Sequence, residues 1–394
     1  VHPSRILLPT ALFVLLPAAT TALALSLDPS LEFEAGLGYD SNAYLAPSRA
    51  YPDPFLEARV APEEQAGFFL PLVLDLRLDA GSEKNLWRSR LELEGRQYLE
   101  EKLENADSYR LELESGLQFE LRGKGRKKDS LYIGGALAYN REIYFDRDTG
   151  LEHTTSTSLQ DLSDRYRYWR LGLESVLDLE TLPVPLRFRA RVYDYDYAEV
   201  PALSSLDHRY YNAEAKAYVP LTQTTRLDLS LDYFVRSYED RAPRDRDGDL
   251  VDEAPDREYL YRQYGATLRQ EAGEDLILYF DYDLLSLTDD FVGYNDYDRH
   301  RWRLRTLWRP EGYRVRASLA YWERDYPRAF IFDNADGSRT PKDYSSREGE
   351  LRLEKELGTP WKLWGEFAFE HQESSDPRYD YRRRIAMLGL MLDF

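Results

Sequence analysis

The stretch Arg226–Val235, RLDLSLDYFV, puts Leu227, Leu229, Leu231, Tyr233 and Val235 at alternate positions, with Arg226, Asp228, Ser230 and Asp232 between them. A period of two belongs to a strand with one apolar and one polar face. The pattern returns along the chain. Leu31, Phe33, Ala35, Leu37 and Tyr39 alternate with Glu32, Glu34, Gly36, Gly38 and Asp40. Leu70 to Leu78 alternate with Pro71, Val73, Asp75 and Arg77, and Leu111 to Leu121 with Glu112, Glu114, Gln118 and Glu120. About sixteen such segments run from 31–40 and 68–79 to 361–373 and 379–394. Each is near the ~9–11 residues that a tilted membrane strand needs. No helical period persists after the first residues, and no blade-like repeat of about 40 residues recurs. A soluble sandwich would not need so many consecutive strands with charges on every polar face. The pattern predicts an all-β fold: a transmembrane antiparallel β-barrel of about 16 strands.

Composition narrows the classes further. The 394 residues carry a formal net charge of −19, no Cys, and 31 Tyr, 16 Phe and 7 Trp. Absence of Cys excludes disulfide scaffolds, Cys-ligated metals and thiol catalysis. The acidic balance argues against nucleic acid as a partner. Residues 1–24 read as a signal peptide: Val1–Arg5 supplies one Arg, Ile6–Ala24 is apolar, and Ala22-Leu23-Ala24 is a cleavage pattern. Residues 25–394 are then the barrel.

Connections alternate in length. Short ones include Glu180–Pro183, Leu221–Thr225, Ala272–Asp275, Pro310–Gly312 and Gly358–Pro360; long ones include Ser41–Gln65, Arg147–Ser163, Glu239–Asp256 and Arg328–Tyr344. Outer-membrane barrels keep short turns on the periplasmic side and long loops outside. An even strand count then leaves both ends of the barrel periplasmic.

In the closing stretch, Ala386, Leu388, Leu390, Leu392 and Phe394 alternate. Gly389, Leu392 and Phe394 resemble the C-terminal β-signal read by barrel-assembly machinery, with Met387 where that pattern usually has a polar residue. The chain as a whole resembles Gram-negative outer-membrane β-barrel proteins. Its opening, Gly36-Leu37-Gly38-Tyr39-Asp40-Ser41-Asn42-Ala43, looks like that of porin-like barrels, polysaccharide-export porins and the barrels of surface-lipoprotein assembly modifiers. The last two families usually carry a helical-repeat domain before the barrel, so the resemblance covers the barrel alone. It implies residence in the outer membrane, with lipid, lipopolysaccharide and the barrel-assembly machinery as partners.

The polar faces should line the lumen, with acids and bases about equal in number. Arg88 and Arg90 are expected to pair with Glu112 and Glu114, and Arg383 with Glu32 and Glu34 across the closing seam. Arg301, Arg303 and Arg305 adjoin Arg314 and Arg316 on the next strand, with only Asp281 and Asp283 on the other side. Like charges so placed are costly without an anion, which makes this sector the expected anion track. Asp245, Asp247 and Asp249 have the alternate spacing of a calcium loop, with Asp252 as a further candidate ligand; no other cofactor is expected. The His residues show no metalloprotease spacing and no Ser or Asp partner, so an enzyme is not expected. Tyr193, Tyr195, Tyr197, Tyr210, Tyr211, Tyr259 and Tyr261 are read as an outer aromatic girdle, and Trp308, Trp361 and Trp364 as a periplasmic one. Sugar stacking in the lumen is the alternative for any that face inward. The expected function is a porin-like channel for diffusion or export of small solutes or polysaccharide. The alternatives are a non-conducting scaffold barrel for surface-protein display and a surface-exposed enzyme.

Overall fold

The computed structural model describes residues 26–394 apart from 53–58, 83, 125–126, 146, 148–160, 202 and 334–338. The expected signal peptide, 1–24, lies outside the described residues. In chain order the strands are β1 (Ser26–Asp40), β2 (Tyr51–Pro52), β3 (Arg59–Val60), β4 (Gly67–Gly81), β5 (Asn85–Tyr98), β6 (Ser108–Lys124), β7 (Lys127–Glu142), β8 (Tyr168–Leu179) and β9 (Leu186–Tyr197). They continue as β10 (His208–Pro220), β11 (Thr225–Tyr238), β12 (Glu258–Glu271), β13 (Leu276–Asp289), β14 (Tyr297–Trp308), β15 (Tyr313–Asp333), β16 (Arg339–Gly358), β17 (Trp361–Ser374) and β18 (Tyr381–Asp393). The minute β2–β3 pair sits in the first long loop. The other sixteen strands pair antiparallel with their neighbours in sequence, and β1 pairs with β18 to close a barrel. Two bonds finish the seam: Leu31 N–H donates to the Phe394 carbonyl at 3.1 Å, and Phe394 N–H to the Leu31 carbonyl at 2.9 Å.

Alternation sorts the side chains by face. Leu117, Leu171, Leu173, Leu231, Leu304, Leu351 and Leu388 are exposed on the outside. Glu34, Asp75, Asp281, Arg352 and Glu354 are buried on the inside. An exterior of Leu and Phe around a charged interior suits hydrocarbon, where a closed ladder leaves no backbone group unpaired. Trp87, Trp308, Tyr313 and Trp361 are exposed at the short-turn end, and Tyr39, Phe68, Trp169, Tyr211 and Tyr321 at the long-loop end. These form the two girdles.

Three expectations need correction. Trp364 faces inward and is 2% exposed, so it belongs to no girdle. Tyr193, Tyr195, Tyr197, Tyr210, Tyr259 and Tyr261 also face the lumen: Tyr193 and Tyr195 lie on the inward face of Arg189 and Arg191, and Tyr210 and His208 pair directly with them. The segment 328–344 is mostly strand rather than loop, because β15 runs to Asp333 and β16 starts at Arg339. At 21 and 20 residues these two strands are about twice the length a bilayer requires. They rise beyond it as a hairpin.

Because the chain has no Cys, a single engineered thiol reports topology. Asp247→Cys, in the long loop after β11, should react with a membrane-impermeant maleimide on intact cells. Thr224→Cys, in the short turn before β11, should react only after the outer membrane is opened.

Candidate functional site in the barrel lumen

The opening Asp40-Ser41-Asn42 anchors a loop that folds into the barrel mouth. Asp40 is fully buried. Its carboxylate accepts Tyr98 Oη at 2.7 Å, the Asn42 amide at 3.0 Å, and Arg383 through Nε at 3.1 Å and Nη2 at 2.5 Å. Arg383 therefore meets Asp40, not Glu32 or Glu34: the seam register puts Asp40 beside Ile385 and Glu34 beside Met391. Asn42 closes a local ring, as short amide side chains do in turns. Ala46 N–H donates to Asn42 Oδ1 and Asn42 Nδ2 to the Ala46 carbonyl, both at 2.9 Å, and Nδ2 also reaches the Arg382 carbonyl at 3.0 Å. Leu45 takes a left-handed φ of 53° to complete the turn. Ala43 and Tyr44 are thereby packed against the inward-facing Phe69, Tyr98, Ile385 and Met387, with Leu103 and Phe145. Tyr44 Oη donates to the Lys102 carbonyl, and burial pushes its phenol up to about 12. Beneath lies a cavity of about 590 Å³, whose lining includes Glu34, Leu45, Arg96, Arg110, Arg352 and Glu366.

Along the lower wall arginines pair with carboxylates. Arg303 and Arg305 share Asp281 at 3.2 and 2.7 Å, and Thr267 Oγ1 donates to the same carboxylate. Arg301 reaches Glu348 at 3.0 Å; Arg314 and Arg316 reach Glu354 at 3.5 and 2.5 Å. The expectation that only Asp281 and Asp283 face this sector is corrected, because β16 supplies Glu348 and Glu354. Register explains both: Arg314 lies opposite Glu354, and Ala320, between Arg303 and Glu348, is too small to block the reach. Arg170 reaches Glu112 in the same way over Ala138. Arg90 turns from Glu114, directly opposite, to Asp75 at 2.8 Å, and Arg88 turns to Asp79 at 3.3 Å. Arg352 touches Glu34, Glu354 and Glu366 at 2.5, 3.0 and 3.4 Å.

Toward the long-loop end the chemistry changes. Aromatic rings touch in sequence around the inner wall: Tyr168–Tyr195 at 5.3 Å, Tyr195–His208 at 4.4 Å, His208–Tyr238 at 5.1 Å and Tyr238–Tyr259 at 5.7 Å between centroids. A parallel course runs Tyr193–Tyr210–Phe234–Tyr261, its last contact stacked at 4.3 Å. Tyr297 packs beside Tyr261, and Tyr297–Tyr326–Tyr344–Tyr379 continue at 5.2, 6.0 and 5.8 Å. Cations lie on these rings: Arg236 over Tyr261 at 5.4 Å, Arg241 over Tyr238 at 5.0 Å, Arg257 over Tyr259 at 5.8 Å, Arg324 over Tyr297 at 4.7 Å and Lys342 over Tyr326 at 4.9 Å. Arg299 stands directly opposite Arg324 across β14 and β15. Among the described residues none of these six cations makes an ion pair with a carboxylate. Nε of Arg236, Arg257, Arg299 and Arg324 is buried without an acceptor. In the loop after β11, burial and the neighbouring Arg257 guanidinium hold Arg241 below the usual guanidinium range.

The expected calcium loop folds as a self-capped turn. Asp245 Oδ1 accepts the amides of Asp247 and Asp249 at 2.9 and 3.0 Å, Gly248 takes a φ of 90°, and Asp247 pairs with Arg339 at 2.9 Å. Asp252 is exposed. Among the described residues no three His, Asp or Glu side chains are gathered to hold a metal. Of the residues expected to form a β-signal, Gly389 has a packing reason: a Cβ there would stand 2.4 Å from the Ala35 carbonyl and 2.7 Å from Trp364. Leu392 pairs with Phe33 in the seam, beside the Leu31–Phe394 bonds.

Asp40→Ala should free the inward loop, because it strands the buried Arg383 charge, a loss of about 3–5 kcal/mol. A thiol placed at Ala43 should then become reactive in the folded barrel while staying protected in the parent. Protection in both would mean that apolar packing alone holds the loop.

No protein-family profile matches the chain, and no curated protein matches it in sequence. Among solved structures it is similar to a loop-deletion variant of the outer-membrane protein OmpT of Vibrio cholerae, at 8% identity and a TM-score of 0.48, over 94% of this chain and 100% of that one. The anion-selective porin from Comamonas acidovorans gives 12% identity and a TM-score of 0.44, over 94% and 100%. The outer-membrane protein opdK from Pseudomonas aeruginosa gives 10% and 0.45, over 93% and 99%. The closed sixteen-stranded ladder, the Leu-rich exterior, the two aromatic girdles and the charged interior make this chain an outer-membrane β-barrel.

Proposed function

We propose that the protein is a porin-like channel whose outer vestibule favours anionic solutes. A barrel of sixteen strands is wide enough to leave an aqueous path. The observation that carries the reading is the set of inward cations without carboxylates: Arg236, Arg241, Arg257, Arg299, Arg324 and Lys342. A guanidinium stays charged in any environment a protein provides. Several in a mouth with low-dielectric walls raise the local concentration of anions and hold cations off. In the lower wall five arginines, Arg301, Arg303, Arg305, Arg314 and Arg316, share three carboxylates, Asp281, Glu348 and Glu354, so most of the charge there is cancelled and each guanidinium is already held. The anion preference expected from that sector is therefore assigned to the band above it.

A second reading draws on the inward loop. Ala43, Tyr44 and Phe145 fill part of the outer lumen, which suits a scaffold barrel that never conducts. Planar-bilayer recording separates the two. The parent should conduct with anions preferred over cations, more strongly at low salt where screening is weaker. Arg236→Gln, Arg299→Gln and Arg324→Gln combined should lower the anion/cation permeability ratio more than Arg303→Gln, whose partner Asp281 keeps Arg305. A barrel that inserts and stays closed establishes the scaffold reading instead.

A further inference from the structure

Resting on that reading of the lumen, we infer that the outer vestibule binds organic carboxylates that carry a flat ring face, in preference to small anions. Two features converge. The first is the edge of the guanidiniums. One stacked on a ring keeps its in-plane N–H edge for hydrogen bonds. In Arg236, Arg257, Arg299 and Arg324 the buried Nε finds no acceptor. A carboxylate meets such an edge with two parallel bonds, which a spherical ion cannot do. Asp289, the inward acid opposite Tyr259, makes its bonds elsewhere: it accepts the Phe291 amide at 3.2 Å and Asn295 Nδ2 at 2.9 Å.

The second feature is the rings themselves. Tyr195, Tyr210, Phe234, Tyr297, Tyr326 and Tyr344 are only half-buried, so each leaves apolar ring surface in the lumen. A wall that only needed to attract charge would not require them. A solute with an apolar face and a carboxylate edge uses both features at once: it stacks on a ring while the neighbouring guanidinium takes its charge. The ring contacts continue from one strand to the next, as between Tyr297, Tyr326 and Tyr344. Such a solute can therefore step sideways without leaving the band. Neutral rings lack the charge contact and small carboxylates the stacking contact.

The test is calorimetric titration of the full-length barrel, folded in detergent, with galacturonate, benzoate, acetate and galactose. Galacturonate, benzoate or both should bind about tenfold more tightly than acetate, the increment expected of one stacking contact. Which of the two binds better distinguishes a sugar acid from an aromatic acid, and galactose should not bind. Arg236→Gln with Arg324→Gln should abolish binding of the ring acids. Phe234→Leu with Tyr297→Leu should bring them down to the acetate level while leaving acetate unchanged, which also shows that this variant is folded. Equal affinity for acetate and both ring acids, or no binding by either ring acid, overturns the inference. Because no current is measured, ring-acid binding by a barrel that never conducts sinks the channel and keeps the binding band. An anion-selective channel without binding does the opposite.

Discussion

Closure of the backbone ladder between β1 and β18 is the constraint on which everything else depends. Hydrocarbon offers no partner to an open strand edge, so the first and last strands must meet in register. They do so from Glu32 opposite Asp393 to Asp40 opposite Ile385. The inner side chains reinforce the same seam. Gly389 leaves space for Trp364, which is almost wholly buried. The Arg352 guanidinium covers Trp364 at 4.7 Å and extends to Glu34 on β1. At the other end of the seam Arg383 and Asp40 clasp β18 to β1, and the same carboxylate starts the inward loop. Closure and constriction thus share one buried residue.

The inner wall then solves one problem in two ways. Arg cannot shed its proton, so an inward guanidinium needs a carboxylate or a ring. In the lower wall the strands supply acids, and two Arg commonly share one, as on Asp281 and Glu354. In the upper wall the strands supply Tyr and Phe. A ring stabilises the cation without cancelling its charge, so the field survives and extends into the lumen. Paired charge fixes the wall, and charge on rings remains available to a visitor. On the proposed channel reading, this difference, rather than the number of arginines, places the selective site.

Much of this was legible in the sequence. The period of two in RLDLSLDYFV and its repeats is enough for strand number, sidedness and loop alternation, because each depends on local pattern alone. Which Arg meets which acid was not, since partners depend on register and on the neighbour between them. Arg301 reaches Glu348 because Ala320 is small, and Arg170 reaches Glu112 because Ala138 is. Inward Ala beside inward Arg was the available signal. The tyrosines follow parity: Tyr193, Tyr195 and Tyr197 continue the face of Arg187, Arg189 and Arg191. Position near a strand end suggests a girdle, but parity decides the face. In the sequence Asp40-Ser41-Asn42 carries only a resemblance. Its physical content is a side-chain turn that bends the loop inward, and that meaning requires Arg383 and Tyr98, which are distant in sequence.

The loop and the aromatic band occupy different parts of the same mouth. The loop packs on Phe69, Tyr98, Ile385 and Met387, the inner faces of β4, β5 and β18. The cationic part of the band lies on β11 to β16, with the loop after β11 adding Arg241 and Arg257. One side of the mouth is therefore covered by the chain's own turn, while the other is cationic and ring-lined. On the channel reading, this asymmetry narrows the path toward the charged side. A solute that follows the charged side meets Arg236, Arg299 and Arg324, where charge not paired with a carboxylate acts at short distance, with Tyr261 and Tyr297 beneath two of the guanidiniums.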